Sequence, residues 1–231
     1  MPDPKAKKDK PHYSGHRDRL RARFLDAPDS LADYELLELL LFMAIPRKDV
    51  KPIAKGLIDK FKNLNGVLNA SLNDLQAIEG ISHNSAVAIR AIRAAGLRLL
   101  KQDIMERPIL SSWSRLVDYC EAAMANENRE HFRLIFLNKK NEIIADEVQQ
   151  TGTVDHTPAY PREIMKRALE LGATAIILVH NHPSGDPSPS EADIQMTKKI
   201  IQAAQPFEIV IHDHLIVSRN CTTSFKNEGL I

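Results

Sequence analysis

HNHPSGDPSPSEAD, residues 180–193, directly follows TAIILV at 174–179, an apolar run with the length and β-branched content of a buried strand. His180 and His182 are two apart, so on an extended strand their side chains project from one face and a single cation can take both. Asp193 stands eleven residues after His182, and the intervening PSGDPSP has the prolines and glycine needed to turn the chain back before a helix begins at Ser190. Two neutral imidazole nitrogens and one carboxylate oxygen leave a fourth tetrahedral position open, the arrangement of a catalytic rather than a structural zinc site. A plainer reading stands beside it. Ser190 and Asp193 have the spacing of a helix capping box, which needs no metal, and HDH at 212–214 shows that a histidine pair two apart recurs within the same chain.

Outward from this stretch the periodicity alternates between helix and strand. PREIMKRALELG is a helix opened by Pro161 and closed by Gly172, and it leads into the strand ATAIILVH. A helix from Ser190 to about Gln202 and two last strands, FEIVIHDH and LIVSR, follow. Upstream, SSWSRLVDYCEAAMA is an amphipathic helix, EHFRLIFLN and EIIADEVQQ are strands joined by the polar turn KKN, and TGT with DHTPAY reads as loop. This order predicts an α/β domain over 108–231.

Residues 15–106 contain helices and no convincing strand, and predict a small all-α domain. HRDRLRARFL is followed by SLADYELLELLLFMAI, where Ser30 and Asp33 resemble a capping pair and Pro46 ends the helix; then come VKPIAKGLIDKF, SLNDLQAI and SAVAIRAIRAAGLRLLKQDI. Residues 1–14, rich in Lys and Pro, have almost nothing to bury and predict a disordered basic tail.

Bulk composition narrows the class rather than the function. The chain has 231 residues, 43% of them hydrophobic, and a formal net charge of +1, so overall charge argues for no particular partner. Cys120 and Cys221 form no CxxC pattern, which speaks against a disulfide scaffold or a cysteine zinc knuckle and fits a reducing cytoplasm. No apolar run approaches the roughly 18 residues of a membrane span, and the N-terminus lacks the hydrophobic segment of a signal peptide. The expectation is a cytoplasmic protein with no membrane partner.

The residues at 180–193 resemble the JAMM metalloprotease signature: H-x-H, seven residues, S, two residues, D, with every fixed position met by His180, His182, Ser190 and Asp193. The longer segment YPREIMKRALELGATAIILVHNHPSGDPSPSEADI resembles the bacterial RadC family, a branch of the JAMM or MPN-type fold, along most of residues 108–231. The resemblance implies a cytidine-deaminase-like mixed sheet with flanking helices. It implies a zinc ion (Zn2+) held by His180, His182 and Asp193, with Ser190 helping to hold a developing oxyanion. A glutamate from an earlier strand serves as general base, and Glu130 occupies that place in helix-strand order. Glu163, at a helix N-terminus where it could simply favour the helix dipole, is the rival, and the signature does not choose between them. The implied reaction is hydrolysis of a peptide or isopeptide bond in a protein or peptide substrate. Asn181 stands where many eukaryotic members have Ser or Thr, as is common in RadC proteins, which weakens any carry-over of a deubiquitinase substrate.

Three features lie outside the signature. His212, Asp213 and His214 read either as a structural strand end, with the two histidines on one face, or as a support for a metal ligand, for instance a carboxylate orienting an imidazole. DLQAIEGISHNSAVAIRAI has the shape of a helix-hairpin-helix, with Gly80 and Ile81 in the turn and Ala86 in the second helix. Such a hairpin can present backbone N–H groups to a phosphate, although Ser82 replaces the usual second glycine and could cap the next helix instead. Arg17, Arg21 and His16 could share a helical face toward phosphates, diluted by Asp18 and Asp26. The competing expectation, also suggested by the family's presumed DNA-repair role, is therefore a DNA-binding protein with a structural or vestigial metal site.

Overall fold

The computed structural model describes residues 15–105, 107–151, 160–219 and 221–231; the expected N-terminal tail and most of the TGTVDHTPAY loop lie outside the described residues. Two compact units divide between Ala95 and Gly96.

The first unit is helical: α1 (His16–Asp26), α2 (Asp33–Ala44), α3 (Lys51–Phe61), α4 (Leu64–Asn69), α5 (Leu72–Gln76) and the start of α6 (His83–Met105). Leu20, Leu37, Leu41, Leu57, Leu75 and Ile89 are buried in one core. The start of α2 differs from expectation. Ser30 lies in a short 3-10 turn with its hydroxyl on the Ala27 carbonyl (2.7 Å), and α2 begins three residues later. The helix start is closed by Glu35, which accepts the Ala32 N–H (3.1 Å), because Asp33 is drawn away to accept the Leu64 N–H at the start of α4 (3.1 Å).

Gly80 has φ 89°, and a Cβ there would fall 2.7 Å from Ile53 Cδ1, so the α5–α6 turn sits against α3 in a way only glycine allows. Ile81 and Ala86 are buried, and Ser82 accepts the Ser85 N–H (3.2 Å) as the cap of α6. The basic run of α1 is turned inward in part. Arg17 donates to the carbonyls of Ile45 (2.6 Å) and Lys48 (2.7 Å), satisfying groups at and beyond the end of α2, and lies 4.5 Å over the Phe42 ring. His16 sits 2.6 Å from the buried Glu38 carboxylate, while Arg21 pairs with Asp18.

The second unit contains the rest of α6, then α7 (Trp113–Met124), β1 (His131–Leu137), β2 (Ile143–Thr151), α8 (Pro161–Leu171), β3 (Ala175–Asn181), α9 (Glu191–Ala204), β4 (Val210–Val217) and β5 (Thr222–Ser224). The strands form one mixed sheet in the order β2-β1-β3-β4-β5, in which only β3 and β4 run parallel. β3 is buried along its whole length, which explains why its sequence is apolar without alternation. One face packs Ile177, Val179, Leu215 and Val217 with Leu116 and Cys120 of α7. The other packs Phe132, Leu134, Ile176 and Leu178 with Ile164 and Ala168 of α8 and Ile200 of α9. Among the described residues, no helix is long and apolar enough to cross a membrane.

FEIVIHDH and LIVSR are not two strands. They merge in β4, since nothing in HDHLIV turns the chain, and the last strand is Thr222–Ser224. The β3–β4 register passes from Ile176↔Ile211 to Ile177↔Asp213, leaving His212 as an extra residue on β4. Such a bulge reverses the alternation beyond it.

The α7 face also holds a buried ion cluster. Asp146 accepts from Arg133 (2.6 Å), Tyr119 (2.6 Å) and Lys101 (2.8 Å). Burial pushes the Asp146 carboxyl up, but Arg133, Lys101 and Tyr119 outweigh it and hold it below the usual carboxylate range. Asp146→Asn is expected to cost about 3–5 kcal/mol at neutral pH by leaving Arg133 and Lys101 without their countercharge. A depressed pKa stabilises the fold above the unfolded value of about 4 and ceases to do so as pH falls through the folded value. Urea denaturation of both proteins should therefore show the gap at pH 7 and its narrowing under acid.

Candidate metal centre

Three acceptor atoms converge where β3 ends. His180 is on the strand, His182 lies just beyond it with its N–H on the Val217 carbonyl (2.9 Å), and Asp193 lies in the first turn of α9. One ligand atom from each falls within 4.8 Å of the others. His180 Nε2 is 2.9 Å from His182 Nε2 and 3.3 Å from Asp193 Oδ1. Ser190 N and Oγ both donate to Asp193 Oδ2 (2.9 and 2.6 Å), so the capping box is formed and orients the carboxylate, with Oδ1 toward His180 and Oδ2 3.6 Å from His182 Nε2. The carboxylate of the capping box thus lies beside both histidines.

Partners that only accept decide the ring tautomers. His182 Nδ1 meets the Asp186 carbonyl (2.8 Å), so Nδ1 carries the hydrogen and Nε2 keeps its lone pair. At His180 the constraint comes from farther away. Thr197 Oγ1 donates to the Asp193 carbonyl (2.6 Å) and therefore accepts from His214 Nδ1 (2.7 Å). His214 Nε2 then accepts from His180 Nδ1 (2.8 Å), which leaves the His180 Nε2 lone pair facing that of His182. Two lone pairs and a carboxylate oxygen aimed at one another are the donor set of a divalent cation, and they repel unless a cation or a proton lies between them.

The electrostatics favour a neutral ring at His180 and His214 and a more basic one at His182. Burial lowers the pKa of His180 to about 4, and burial likewise holds His214 well below its ordinary value. His182 is shifted upward, chiefly by its hydrogen bond to Asp193. Burial opposes ionisation of Asp193, but hydrogen bonds and charge from His182, His180 and Ser190 hold its carboxyl well below the usual range.

The family model described as the RadC-like JAB domain matches residues 110–230, just over half of the chain and including all of β1 to β5. The chain belongs to the RadC family.

Within this RadC-like JAB domain the two glutamates have different surroundings. The β1–β3 register ends at the pair Phe132↔His180, and Glu130 lies one residue before β1 as His182 lies one residue after β3. The negative charge of Glu130 also contributes to raising the His182 pKa. Glu163 lies in the first turn of α8, half exposed, with its carboxylate paired to Arg162 (2.9 Å).

HDH at 212–214 departs from the simple alternation. The His212 bulge turns His214 onto the face of His180, while His212 reaches Asn141 Oδ1 (2.7 Å). The residue of this triplet that meets His180 is thus an imidazole and not the carboxylate: Asp213 points away and accepts from the Ser224 hydroxyl (2.5 Å) and the Lys226 N–H (3.0 Å). Thr197 carries no local signal in the sequence and His214 only that of the HDH triplet, because they lie on α9 and β4 and meet only through the fold. If they hold His180 in its donating tautomer, His214→Ala and Thr197→Val each lower zinc affinity by about 10–100-fold, read by competition with a chelating dye.

Proposed function

We propose that this protein is a zinc-dependent hydrolase of peptide or isopeptide bonds, with His180, His182 and Asp193 holding the metal and Glu130 as general base. The reading is supported by the convergence of His180 Nε2, His182 Nε2 and the Asp193 carboxylate, and by Glu130 lying near enough for its charge to act on His182. When bound there, zinc supplies Lewis-acid polarisation of the scissile carbonyl and lowers the pKa of water toward about 7. Glu130 takes a proton from the attacking water and passes it to the leaving amine. Ser190, whose hydroxyl donates to Asp193, orients that carboxylate at rest and turns toward the developing oxyanion during reaction. The buried face of β3, with Phe132 stacked on the His180 ring, keeps bulk water from the inner side of the site.

The substrate class is a protein or peptide of unspecified sequence. Zinc-loaded protein incubated with a mixed library of peptides and lysine-linked isopeptides, read by mass spectrometry, tests the reading. Cleavage by the wild type that is lost with a chelator and restored by zinc supports it. A zinc-saturated wild type that cleaves nothing across the library counts against it.

A further inference from the structure

Between the two histidines stands Asn181, a fully buried polar side chain that faces away from them. Its carboxamide is engaged across 50 residues of sequence with the segment leading into β1. Oδ1 accepts the His131 N–H (2.9 Å), and Nδ2 donates to the carbonyl of Arg129 (3.0 Å) and, at longer range, to that of Glu127 (3.4 Å). The β1–β3 ladder itself stops at Phe132↔His180. Beyond it a side chain does the work of a backbone pairing, at the point where Glu130 must be kept near His182.

We infer that Asn181 is a positioning residue: by clamping residues 127–131 to the end of β3 it holds Glu130 against the metal centre. The inference rests on the reading of Glu130 as general base. The amide suits the task because one planar group offers an acceptor to an N–H and donors to carbonyls at once. Serine or threonine has one hydroxyl hydrogen and cannot make all three bonds. Burial makes the fit demanding, since any of these backbone groups left unpaired is costly.

The experiment uses the full zinc-loaded chain as wild type, Asn181→Ala, Asn181→Ser, Glu130→Gln and the double variant Asn181→Ala/Glu130→Gln. Asn181→Ser retains one of the three bonds and keeps the test alive if the alanine variant folds poorly. Zinc content should match wild type in each folded variant, because the three ligands remain. Amide hydrogen exchange of residues 127–131, the His131 N–H above all, should be about tenfold faster in Asn181→Ala and intermediate in Asn181→Ser. On a cleaved peptide, kcat should fall about 100-fold with little change in KM, and the double variant should be no slower than Glu130→Gln alone. Unchanged exchange protection overturns the inference, as do losses that multiply in the double variant, which would mean that Asn181 acts independently of Glu130. Failure of the wild type to take up zinc or cleave any peptide would instead sink the hydrolase reading, and the exchange measurement would still decide whether the clamp exists.

Discussion

His182→Ala should leave the purified protein with almost no zinc, where the wild type holds about one ion per chain, the stoichiometry of a single three-ligand site. It removes one of three donor atoms, so the loss of affinity should exceed the about 10–100-fold expected of residues that only support a ligand. The fold should survive. His182 sits just beyond the end of β3, outside the hydrophobic cores, so its removal costs the contacts of one ring with Asp193 and the Asp186 carbonyl and leaves the sheet intact. Melting temperature without zinc should therefore change little, while the rise on adding zinc should vanish. Asp193→Ala is less clean, because the same carboxylate closes the cap of α9 through Ser190, a contribution of about 1 kcal/mol. Asp193→Asn is the better companion: its amide oxygen can still accept from Ser190, but it is a neutral and weaker ligand. Elemental analysis on protein made without a metal-affinity tag reads all three. Full zinc content in both His182→Ala and Asp193→Asn would place the metal elsewhere.

Glu130→Gln should bind zinc as the wild type does and lose hydrolysis by about 10²–10⁴-fold, the range expected when a positioned general base is removed. The substitution keeps shape and hydrogen-bonding atoms and abolishes only the ability to take a proton, so retained zinc and lost rate together identify the role. Glu163→Gln is the decisive comparison. Its carboxylate is half exposed and paired with Arg162, and in our reading its loss changes the rate by less than tenfold, about the effect of a surface charge at a helix N-terminus. Initial rates for the two variants on one cleaved peptide distinguish the candidates, and the opposite ordering would transfer the general base to Glu163.

Much of this centre is legible in one dimension because it is local. The apolar run 174–179, the spacing of His180 and His182 and the Pro- and Gly-rich return to Ser190 and Asp193 lie within twenty residues, and the structure brings the three ligand atoms together as that spacing suggests. Pro161 at the start of α8 and Gly172 at its end, with φ 64°, are read as easily, since each obeys a backbone constraint of its own. The cap expected at Ser30 fails for the complementary reason: Asp33 has the right spacing, but a more distant N–H, that of Leu64, claims its carboxylate. His16 and Arg17 likewise look like exposed charge in α1 and are turned to Glu38 and to the carbonyls after α2, more than twenty residues away.

The sequence by itself determined a helical region followed by an α/β domain and, within it, the identity and order of the three metal-binding candidates, because helix and strand periods and short spacings are set by neighbouring residues. Only the tertiary structure decided what surrounds them. A one-residue bulge at His212 places His214 behind His180, the pairing of β1 with β3 brings the start of one beside the end of the other, and Asn181 there reaches residues 127–131. Each of these depends on how separate strands align, and a shift of one residue in that alignment, which no local spacing records, would turn every one of those side chains to the other face.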